Sequence, residues 1–473
     1  MNKLTNFQLL QAFFAAILIL TLLLHTLLSG IPFSNLLHFL SHNLAVSLSC
    51  AWCLSISIIY YLCTRPRPVL MLDYTCFKPE FDRKVSLESG EYFVRRSGRF
   101  TSESVDFMLS IFQKSGLGEE TYLPPFIFQT GYDAKLQSAI EEAMEGIFSC
   151  VDSLLSKTQI DPQLIDTVIV FSSMFAPAPS LTSLVVNHYK LRPDVRTFNL
   201  SGMGCASGAL SMDTAARIVN SSRRITYALV VVIESISLSW YFGDDRSMLI
   251  SNSIFRVGCA AAMITNDPRR RKDAKMELVK SLRTHHGADD SAYTAAFQKE
   301  DELGNLGMSL KKDLVRVAGL ALRDHIRSLA PRVLPVSQLV AYGYSVIMSV
   351  LSGGAMKPMV PDFKTAFDHF CIHTGGRAVI KQVAEVLRLS DELTEPARMC
   401  LHRFGNTSGT LVFYELAYFD AKQRLKKGDK LWMLAFGTGF KVCSVVWKSL
   451  RDSCEEAENP WTDCSHRYPL VNW

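Results

Sequence analysis

Hydrophobic positions are distributed unevenly along this chain, and the most apolar part comes first. No Asp, Glu, Lys or Arg stands between Lys3 and Arg65. Within that interval, residues 9–28 and 44–63 each form an apolar run of about the 20 residues that cross a bilayer core. The short segment between the two runs holds Gly, Pro, Ser and Asn, which favour a turn. The pattern therefore predicts an N-terminal transmembrane hairpin of two helices.

The flanking charges predict the orientation of this hairpin. Lys3 precedes the two runs, Arg65 and Arg67 follow them, and the connecting loop is uncharged, so the positive-inside rule places both ends in the cytosol. A cleavable signal peptide fits less well, because the first run is too long and a second one follows it. For the second run, which is richer in Ser and Cys, a re-entrant segment or a peripheral hairpin remains an alternative.

Beyond residue 65 the pattern changes to an alternation of helical and strand periods, which is typical of an α/β fold. Helices are predicted over 134–157, 314–329, 381–389 and 409–421, and strands over 166–171, 227–233, 255–264, 431–436 and 442–447. We expect a membrane anchor (1–68), a polar connector that begins the main domain (69–130), a first α/β half (131–270), a second half (271–450) and a tail (451–473).

Composition narrows the possible functions. The net charge of the 473 residues is only +5, and charged residues are well mixed after residue 65, so no patch for nucleic acid is indicated. The twelve cysteines are scattered and show no disulfide framework, which agrees with a cytosolic domain. Cys50 and Cys53 form a C-x-x-C pair, but they lie inside the second apolar run, where a zinc or redox site is not expected.

One cysteine stands out, because it lies between a glycine-rich turn and a helical pattern. In the segment 199–208, Gly202 and Gly204 permit a sharp turn and the close approach of a ligand, and Cys205 follows directly. A thiol at a helix N-terminus is expected to favour the thiolate, which attacks carbonyl carbons. The alternative is an inert buried cysteine, but the flanking glycines favour a nucleophile.

Histidines in the second half allow two kinds of chemistry. His369 and His373 have the i,i+4 spacing of a helical metal-binding pair, but the histidine boxes that such iron sites also need are incomplete, since position 282 is Leu. The alternative to a metal site is thioester chemistry, in which a Cys takes an acyl group, and His and Asn stabilise an enolate after malonyl decarboxylation. Cys205, His373 and Asn406 supply that set.

The motifs in their order resemble those of the plant 3-ketoacyl-CoA synthases, the condensing enzymes of very-long-chain fatty acid elongation. Chalcone synthase and the bacterial ketoacyl synthase that primes fatty acid synthesis are more distant members of the same thiolase-type fold. The resemblance implies αβαβα layers built from two similar halves. It is carried by residues 61–69, 73–79, 199–208, 241–243, 246–249, 284–290, 369–376, 403–408, 436–441 and 459–461.

The resemblance also implies roles for individual residues. Cys205 would be the acylated nucleophile, and His373 and Asn406 would complete a Cys-His-Asn triad. The backbone N–H of Cys205, with the loop formed by Gly437, Thr438 and Gly439, would make the oxyanion hole. The family also implicates the histidines that match His285, His369 and His402, and for these a supporting or structural role is the alternative to a catalytic one.

The chain departs from the family pattern at three places near these motifs. Ala206-Ser207 follows the nucleophile where Ser-Ala is usual, Gly409-Thr410 stands where serines are usual, and Val442-Cys443 replaces Cys-Asn. None of these changes removes a member of the triad. We therefore expect effects on packing near the site and on substrate range.

The implied function is condensation of malonyl-CoA with a long-chain or very-long-chain acyl-CoA, without a metal or redox cofactor. Implied partners are the two CoA substrates, the bilayer, the reductase and dehydratase subunits of an elongase, and a second copy in a homodimer. The implied location is the endoplasmic reticulum membrane, with the catalytic domain in the cytosol. The alternatives are a chalcone synthase-like polyketide synthase and a non-catalytic paralogue that modulates active elongase subunits.

Overall fold

The computed structural model describes residues 51–59, 67–132, 134–356, 359–373, 375–471 and 473. Residues 51–59 are helical. The first predicted membrane span and the rest of the second lie outside the described residues. No helix in the described ranges combines the length and the apolar character needed to cross a bilayer. The chain divides into two compact units, Met1–Arg67 and Pro68–Trp473.

A mixed sheet of nine strands runs through the second unit, in the order β11-β12-β13-β8-β1-β7-β6-β4-β5. Strands β4, β5 and β6 are mutually parallel, as are β11 and β12, and the other pairs in this sheet are antiparallel. The strands are β1 (Leu70–Cys76), β2 (Lys84–Val85), β3 (Thr121–Tyr122), β4 (Ile165–Ser172), β5 (Arg196–Leu200), β6 (Tyr227–Glu234), β7 (Gly258–Thr265), β8 (Met276–His285), β9 (Ala296–Glu300), β10 (Leu306–Leu310), β11 (His369–Ile372), β12 (Lys430–Gly437) and β13 (Lys441–Ser449).

Helices occupy both faces of this sheet, and the alternation predicted from the sequence is confirmed. The helix predicted over 134–157 is α3, and the one predicted over 409–421 is α12 preceded by a 3-10 turn. The helices are α1 (Leu87–Arg96), α2 (Ser102–Ser115), α3 (Leu136–Thr158), α4 (Leu181–Tyr189), α5 (Ser207–Ser221), α6 (Arg246–Ile254), α7 (Asp290–Tyr293), α8 (Leu314–Val333), α9 (Val336–Leu351), α10 (Arg377–Leu387), α11 (Asp391–Phe404) and α12 (Leu411–Ala421).

Strands β4, β6, β7 and β12 are buried on both faces, and successive side chains along each of them point to opposite sides. In β6, Val230 and Val232 belong to a central core with α5 and α12, whereas Leu229 and Val231 face an outer core with α3. In β12, Met433 belongs to the central core, and its neighbours face a second outer core with α8, α10 and α11. The two halves of the sheet thus pack on either side of the central helices α5 and α12, and the layers follow one another as helix, half-sheet, helix, half-sheet, helix.

Two segments outside the predicted halves contribute to this core. Strand β1, which lies in the predicted polar connector, pairs with β7 and β8 near the middle of the sheet, and nearly all of its residues are buried. Its apolar run is short and stands next to prolines, so the sequence pattern did not predict a strand there. In the tail, Trp461 is fully buried, and its Nε1 donates to the backbone oxygen of Tyr414 at 2.9 Å.

A buried lysine ties β1, α12 and the tail together. The Nζ of Lys275 lies 2.9 Å from Asp420, 2.6 Å from Glu456 and 3.7 Å from Asp73. Burial alone would lower the pKa of Lys275, but the surrounding carboxylates outweigh it and the pKa is raised. Burial raises the pKa of Asp420, whereas the two neighbouring lysines lower that of Glu456 to about 2 against its own burial. The charges therefore stabilise one another only as a set.

Candidate active site

A cavity of about 450 Å³ opens at one edge of the nine-stranded sheet. Strands β4, β5, β6, β8, β11 and β12 end at this edge, and β7 and β13 begin there. Ligands of α/β folds commonly bind at the carboxyl ends of parallel strands. Of the residues predicted from the sequence, the cavity wall contains Cys205, His285, His373, Asn406, Gly437, Thr438 and Gly439.

Cys205 lies on a tight turn between β5 and α5. Gly202 and Gly204 have φ values of 72° and 57°, in the left-handed region that favours glycine. A 3-10 turn over Gly204–Ala206 then leads into α5, so the cysteine lies at the N-terminal approach to that helix as predicted. Its Sγ accepts a hydrogen bond from the Ser408 hydroxyl at 3.4 Å.

The resting state of this thiol differs from the expectation. Burial raises the pKa of Cys205 to about 12, a hydrogen bond from Ser408 offsets this in part, and the nearby Glu234 adds to it. The prediction that the helix N-terminus favours the thiolate is therefore wrong. Burial of the sulfur keeps the thiol protonated at neutral pH, so its reaction as a nucleophile would need a base.

His373 is the residue that the family resemblance predicts to act with this thiol. It follows β11 directly, its backbone N–H donates to the Leu434 oxygen at 2.8 Å, and its side chain is almost fully buried. Burial lowers the pKa of His373 to about 4, although a backbone hydrogen bond with Ser408 opposes the shift. The imidazole is therefore neutral at physiological pH. Its Nδ1 has no protein partner among the described residues.

Asn406 is held in one orientation by the backbone around it. Its Oδ1 accepts from the Ser408 N–H at 2.9 Å, which leaves the Nδ2 group as the free donor end apart from a long 3.5 Å contact with the Gly375 oxygen. The backbone of Asn406 also pairs with Phe255 in a short parallel bridge. The amide N–H groups are thus presented beside His373 in the cavity wall.

The glycine-rich turn between β12 and β13 packs directly on the nucleophile turn. The Thr438 hydroxyl donates to the Gly202 oxygen at 3.3 Å. A Cβ at Gly437 would lie 2.7 Å from the Ala206 backbone nitrogen, and a Cβ at Gly204 would lie 2.7 Å from that of Thr438. Larger residues at these glycines would push the two turns apart. This close contact agrees with the predicted oxyanion loop, whose role remains a prediction.

The other predicted histidines lie in different environments. His285 ends β8 in the cavity wall, and its Nδ1 accepts from the Gly287 N–H at 3.0 Å. Burial, and then the nearby Lys441, lower the pKa of His285. His369 and His402 do not line the cavity: His369 Nε2 is 2.8 Å from Asp429, and His402 Nδ1 is 3.0 Å from the Tyr468 hydroxyl. The structure gives these two histidines packing and hydrogen-bonding positions in place of catalytic ones.

The helical metal pair is not formed either. His369 and His373 lie at opposite ends of β11, and four residues of strand span about 13 Å. Within the part of the chain that the structure describes, no cluster of three or more His, Cys, Asp or Glu side chains is arranged to hold a metal ion.

Two polar residues of the site, Glu234 and Ser173, were not predicted from the sequence. Glu234 ends β6 and lines the cavity, and Ser173 follows β4. The hydroxyls of Ser173 and Ser408 are 2.9 Å apart, and both hydrogen-bond with Glu234. Burial raises the pKa of Glu234 to about 7, and one of its carboxyl oxygens has no partner among the described residues. The sequence signal that could have revealed Glu234 is an acidic residue directly after the apolar run of a buried strand.

Replacing Glu234 with glutamine is expected to make Cys205 more reactive above pH 7. In the wild type the carboxylate forms above that pH, and its charge disfavours the thiolate. A fall of about half a unit in the thiol pKa would speed alkylation by iodoacetamide about threefold. Peptide mass spectrometry at pH 8.5 and pH 6 measures the rate at Cys205 alone. Equal rates in both proteins at pH 8.5 would show that the two groups are not coupled. A difference only at pH 6, where the carboxyl of Glu234 is largely protonated, would show that its charge is not the cause.

The unusual pair Ser207 and Gly409 explains two of the departures from the family pattern together. A Cβ at Gly409 would collide with the Ser207 hydroxyl and lie 2.9 Å from the Gly208 nitrogen. The Ser207 hydroxyl is buried without a partner among the described residues. Serine at 207 is therefore accommodated only because glycine stands at 409.

Gly409→Ala is accordingly expected to destabilise the protein by about 1–3 kcal/mol through overpacking. Adding Ser207→Ala should recover part of this loss, because it removes the colliding hydroxyl. Thermal unfolding of the detergent-solubilised protein measures both effects. Gly343→Ala is the control, since a Cβ there meets no atom within 4 Å. If the double variant were no more stable than Gly409→Ala, the two positions would be independent.

Comparison with known protein families and curated sequences gives consistent results. The family described as FAE1/Type III polyketide synthase-like protein matches residues 61–351, and the 3-oxoacyl-[acyl-carrier-protein (ACP)] synthase III C-terminal family matches residues 364–449. The chain is 43% identical to 3-ketoacyl-CoA synthase 11 of Arabidopsis thaliana, over 92% of this chain and 86% of that protein. It is 44% identical to 3-ketoacyl-CoA synthase 17 of the same plant, over 88% of this chain and 85% of the relative.

Solved structures show the same fold at lower sequence similarity. The C-terminal type III polyketide synthase domain of Steely1 from Dictyostelium has a TM-score of 0.63 and 19% identity, covering 81% of this chain and 99% of that domain. A fungal type III polyketide synthase, ORAS, has a TM-score of 0.61 and 17% identity, covering 80% of this chain and 99% of that protein. The α/β fold with a mixed sheet is therefore thiolase-like.

Proposed function

Because this chain belongs to the 3-ketoacyl-CoA synthase family, we propose that it catalyses the first step of fatty acid elongation, the condensation of malonyl-CoA with a long-chain acyl-CoA. The observation that carries the proposal is the grouping of Cys205, a neutral buried His373 and an oriented Asn406 around one cavity. Ser408 contacts all three of these residues.

The first half-reaction transfers the acyl chain to the enzyme. His373 accepts the Cys205 proton as the sulfur attacks the thioester carbonyl, because the resting thiol does not ionise by itself at neutral pH. The bond to the CoA sulfur then breaks, and the CoA thiolate takes the proton from His373. Backbone N–H groups of the nucleophile turn and the 437–439 loop stabilise the oxyanion that forms between these steps.

The second half-reaction forms the carbon–carbon bond. Malonyl-CoA loses CO₂, and the electron pair of the broken bond moves into an enolate whose oxygen accepts hydrogen bonds from His373 and the Asn406 amide. The enolate carbon attacks the acyl carbonyl on Cys205, and the sulfur leaves as a thiolate that takes up one proton from solvent. The products are CO₂ and a 3-ketoacyl-CoA two carbons longer. This balance needs no metal or redox cofactor.

The rest of the cavity wall supports an acyl substrate. Apart from the polar groups already described, it is largely apolar, and Tyr293 and Phe297 are also partly exposed at the surface. An acyl chain gains free energy by leaving water for such a wall. Its apolar members include Phe255, Met308, Leu310, Leu314, Ala318 and Phe436.

The sequence supports a proposal for the cellular setting. The uncharged stretch between Lys3 and Arg65 would anchor the chain in the endoplasmic reticulum membrane as a two-helix hairpin, with the catalytic domain in the cytosol. There it would work as a homodimer beside the reductases and dehydratase that complete each elongation cycle. A membrane location also suits substrates whose long tails partition into lipid.

Two alternatives make different predictions. A chalcone synthase-like polyketide synthase would repeat the condensation on one primer. The matching family description also covers type III polyketide synthases, but the solved polyketide synthase structures are only 16–19% identical, whereas the relatives at 41–44% identity are 3-ketoacyl-CoA synthases. A non-catalytic paralogue would bind active elongase subunits, but the intact set of Cys205, His373 and Asn406 speaks against it.

The deciding experiment supplies labelled malonyl-CoA and acyl-CoA primers of increasing length to microsomes from yeast that express the chain. We expect label in a 3-ketoacyl-CoA that is two carbons longer than the primer, above the level of empty-vector microsomes. Products extended by several unreduced units would indicate a polyketide synthase. No labelled product with any primer, from folded and membrane-bound protein, would favour the modulator.

A further inference from the structure

Helix α9 presents large apolar side chains outward, whereas its inner side mixes polar residues with Leu339, which packs against the second outer core. On the inner side the Gln338 side-chain oxygen accepts from the Asp362 N–H at 3.3 Å, and the Ser345 hydroxyl accepts from the Met359 N–H at 3.0 Å. No residue of the helix is buried. A helix that packs on a globular core turns its most apolar side inward, whereas the outward side of α9 exposes large apolar residues.

The outward side is a continuous apolar stripe. Val336, Val340, Tyr344, Ile347 and Leu351 follow one another at spacings of three or four residues, so they share one face. Their exposed fractions lie between 58% and 75%. Val350 lies beside this stripe and is equally exposed. Contiguous apolar patches of this kind mark interaction sites on soluble domains.

Charge indicates which partner covers the stripe. No charged residue stands between Arg332 and Lys357, so the whole helix is uncharged. In the sequence Arg332 precedes the helix and Lys357 follows it, and Arg332 is exposed. Helices that lie in the interface of a bilayer combine an apolar stripe with flanking cations that contact anionic headgroups. A protein partner would call for complementary polar groups around the stripe, and the helix has only serines, Gln338 and a second tyrosine.

We propose that α9 lies in the interfacial region of a lipid bilayer, with the stripe from Val336 to Leu351 inserted below the headgroups. This contact is separate from the N-terminal hairpin and belongs to the catalytic unit itself. Helix α8, whose residues Leu314 and Ala318 line the cavity, runs into α9 through Leu334 and Pro335. Docking of α9 therefore holds one wall of the cavity next to the membrane. That consequence rests on the proposed function, since it places the cavity close to lipid-borne acyl-CoA.

The test uses the full chain, purified in detergent and reconstituted in vesicles of phosphatidylcholine and phosphatidylglycerol that carry a labelled phospholipid. A photoreactive benzophenone amino acid replaces Ile347. In the matched control it replaces Leu164, an exposed residue of the first α/β half. The same reporter in position of Leu18 checks the hairpin. We expect at least about fivefold more lipid adduct from position 347 than from position 164.

The other possible outcomes show whether lipid or a second copy of the chain covers the stripe. A cross-linked dimer without lipid adduct at 347 would overturn the proposal and make the stripe an interface between copies. No adduct at 347 with a strong adduct at 18 would overturn it and leave the hairpin intact. Loss of both adducts would overturn the docking and the proposed anchor, while condensation measured in the same vesicles reports separately on the enzyme.

A second variant tests the stripe as a unit. Ile347→Glu together with Leu351→Glu is expected to remove the lipid adduct from a reporter in position of Val340, because two charges oppose insertion. Leu164→Glu is the control and should leave that adduct unchanged. An unchanged adduct in the double variant would contradict insertion of this face.

Discussion

Replacing Cys205 with alanine is expected to abolish 3-ketoacyl-CoA formation, with a fall of at least about 10⁴-fold, while the variant continues to release CO₂ from malonyl-CoA. The sulfur is needed only for acyl transfer. Decarboxylation depends on His373 and Asn406, which remain in the cavity wall in this variant. The two partial reactions are measured separately, as labelled acyl-enzyme after quenching and as labelled CO₂ from malonyl-CoA.

Asn406→Ala gives the complementary result. It should still form the acyl-enzyme but lose CO₂ release by about 10²–10³-fold, the usual effect of removing one oxyanion donor. Cys454→Ala is the matched control for loss of a thiol, since Cys454 is exposed and outside the cavity wall. If Cys205→Ala kept forming product, or if both variants lost the same partial reaction, the division of roles would be wrong.

Replacing Lys275 with methionine is expected to lower the free energy of unfolding by about 3–5 kcal/mol, the usual cost of removing one partner from a buried ionic group. Methionine keeps the apolar stem but leaves the carboxylates of Asp420, Glu456 and Asp73 without their shared cation. Denaturant unfolding of the solubilised protein measures the loss. Lys78→Met is the control, because Lys78 forms a partly exposed ion pair with Asp463 and should cost no more than about 1 kcal/mol.

The stability of the Lys275→Met variant is expected to approach that of the wild type as the pH falls. Burial raises the pKa of Asp420 in the folded protein, so the ionised carboxylate destabilises the folded state above the pKa of the unfolded chain. This destabilisation disappears as the pH falls through the pKa of the folded state. Lys275 no longer counteracts that shift in the variant. The stability deficit should therefore shrink between neutral pH and pH 5. A deficit that grows on acidification would mean that the carboxylates are not the cause.

The sequence pattern predicted much of the fold, because the periodicity of apolar side chains is a local property. The runs in β4 and β6 are buried on both faces and were predicted directly as strands. Strand β1 was missed because a short apolar run beside prolines carries little local signal, and its place in the sheet depends on β7 and β8, which follow almost 200 residues later.

In the candidate site, too, local features were predicted from the sequence and contacts between remote segments were not. Glycines at 202 and 204 indicated the nucleophile turn, since their backbone angles are local. Which histidines accompany Cys205 could not be decided locally: His373 ends its strand at the cavity, whereas His369 begins the same strand beside Asp429. Glu234 and Ser173 were missed because their contact with Ser408 joins positions more than 170 residues apart.

By itself, then, the amino-acid sequence determined the α/β alternation, the turn that carries Cys205 and the family to which the chain belongs. The tertiary structure decided the ionisation state of Cys205, the neutral state of His373, the partners of Lys275 and the outward direction of the apolar side of α9. The physical reason is that the pKa and exposure of a group depend on which remote segments exclude water from it or bring charge to it, and a linear pattern does not contain that information.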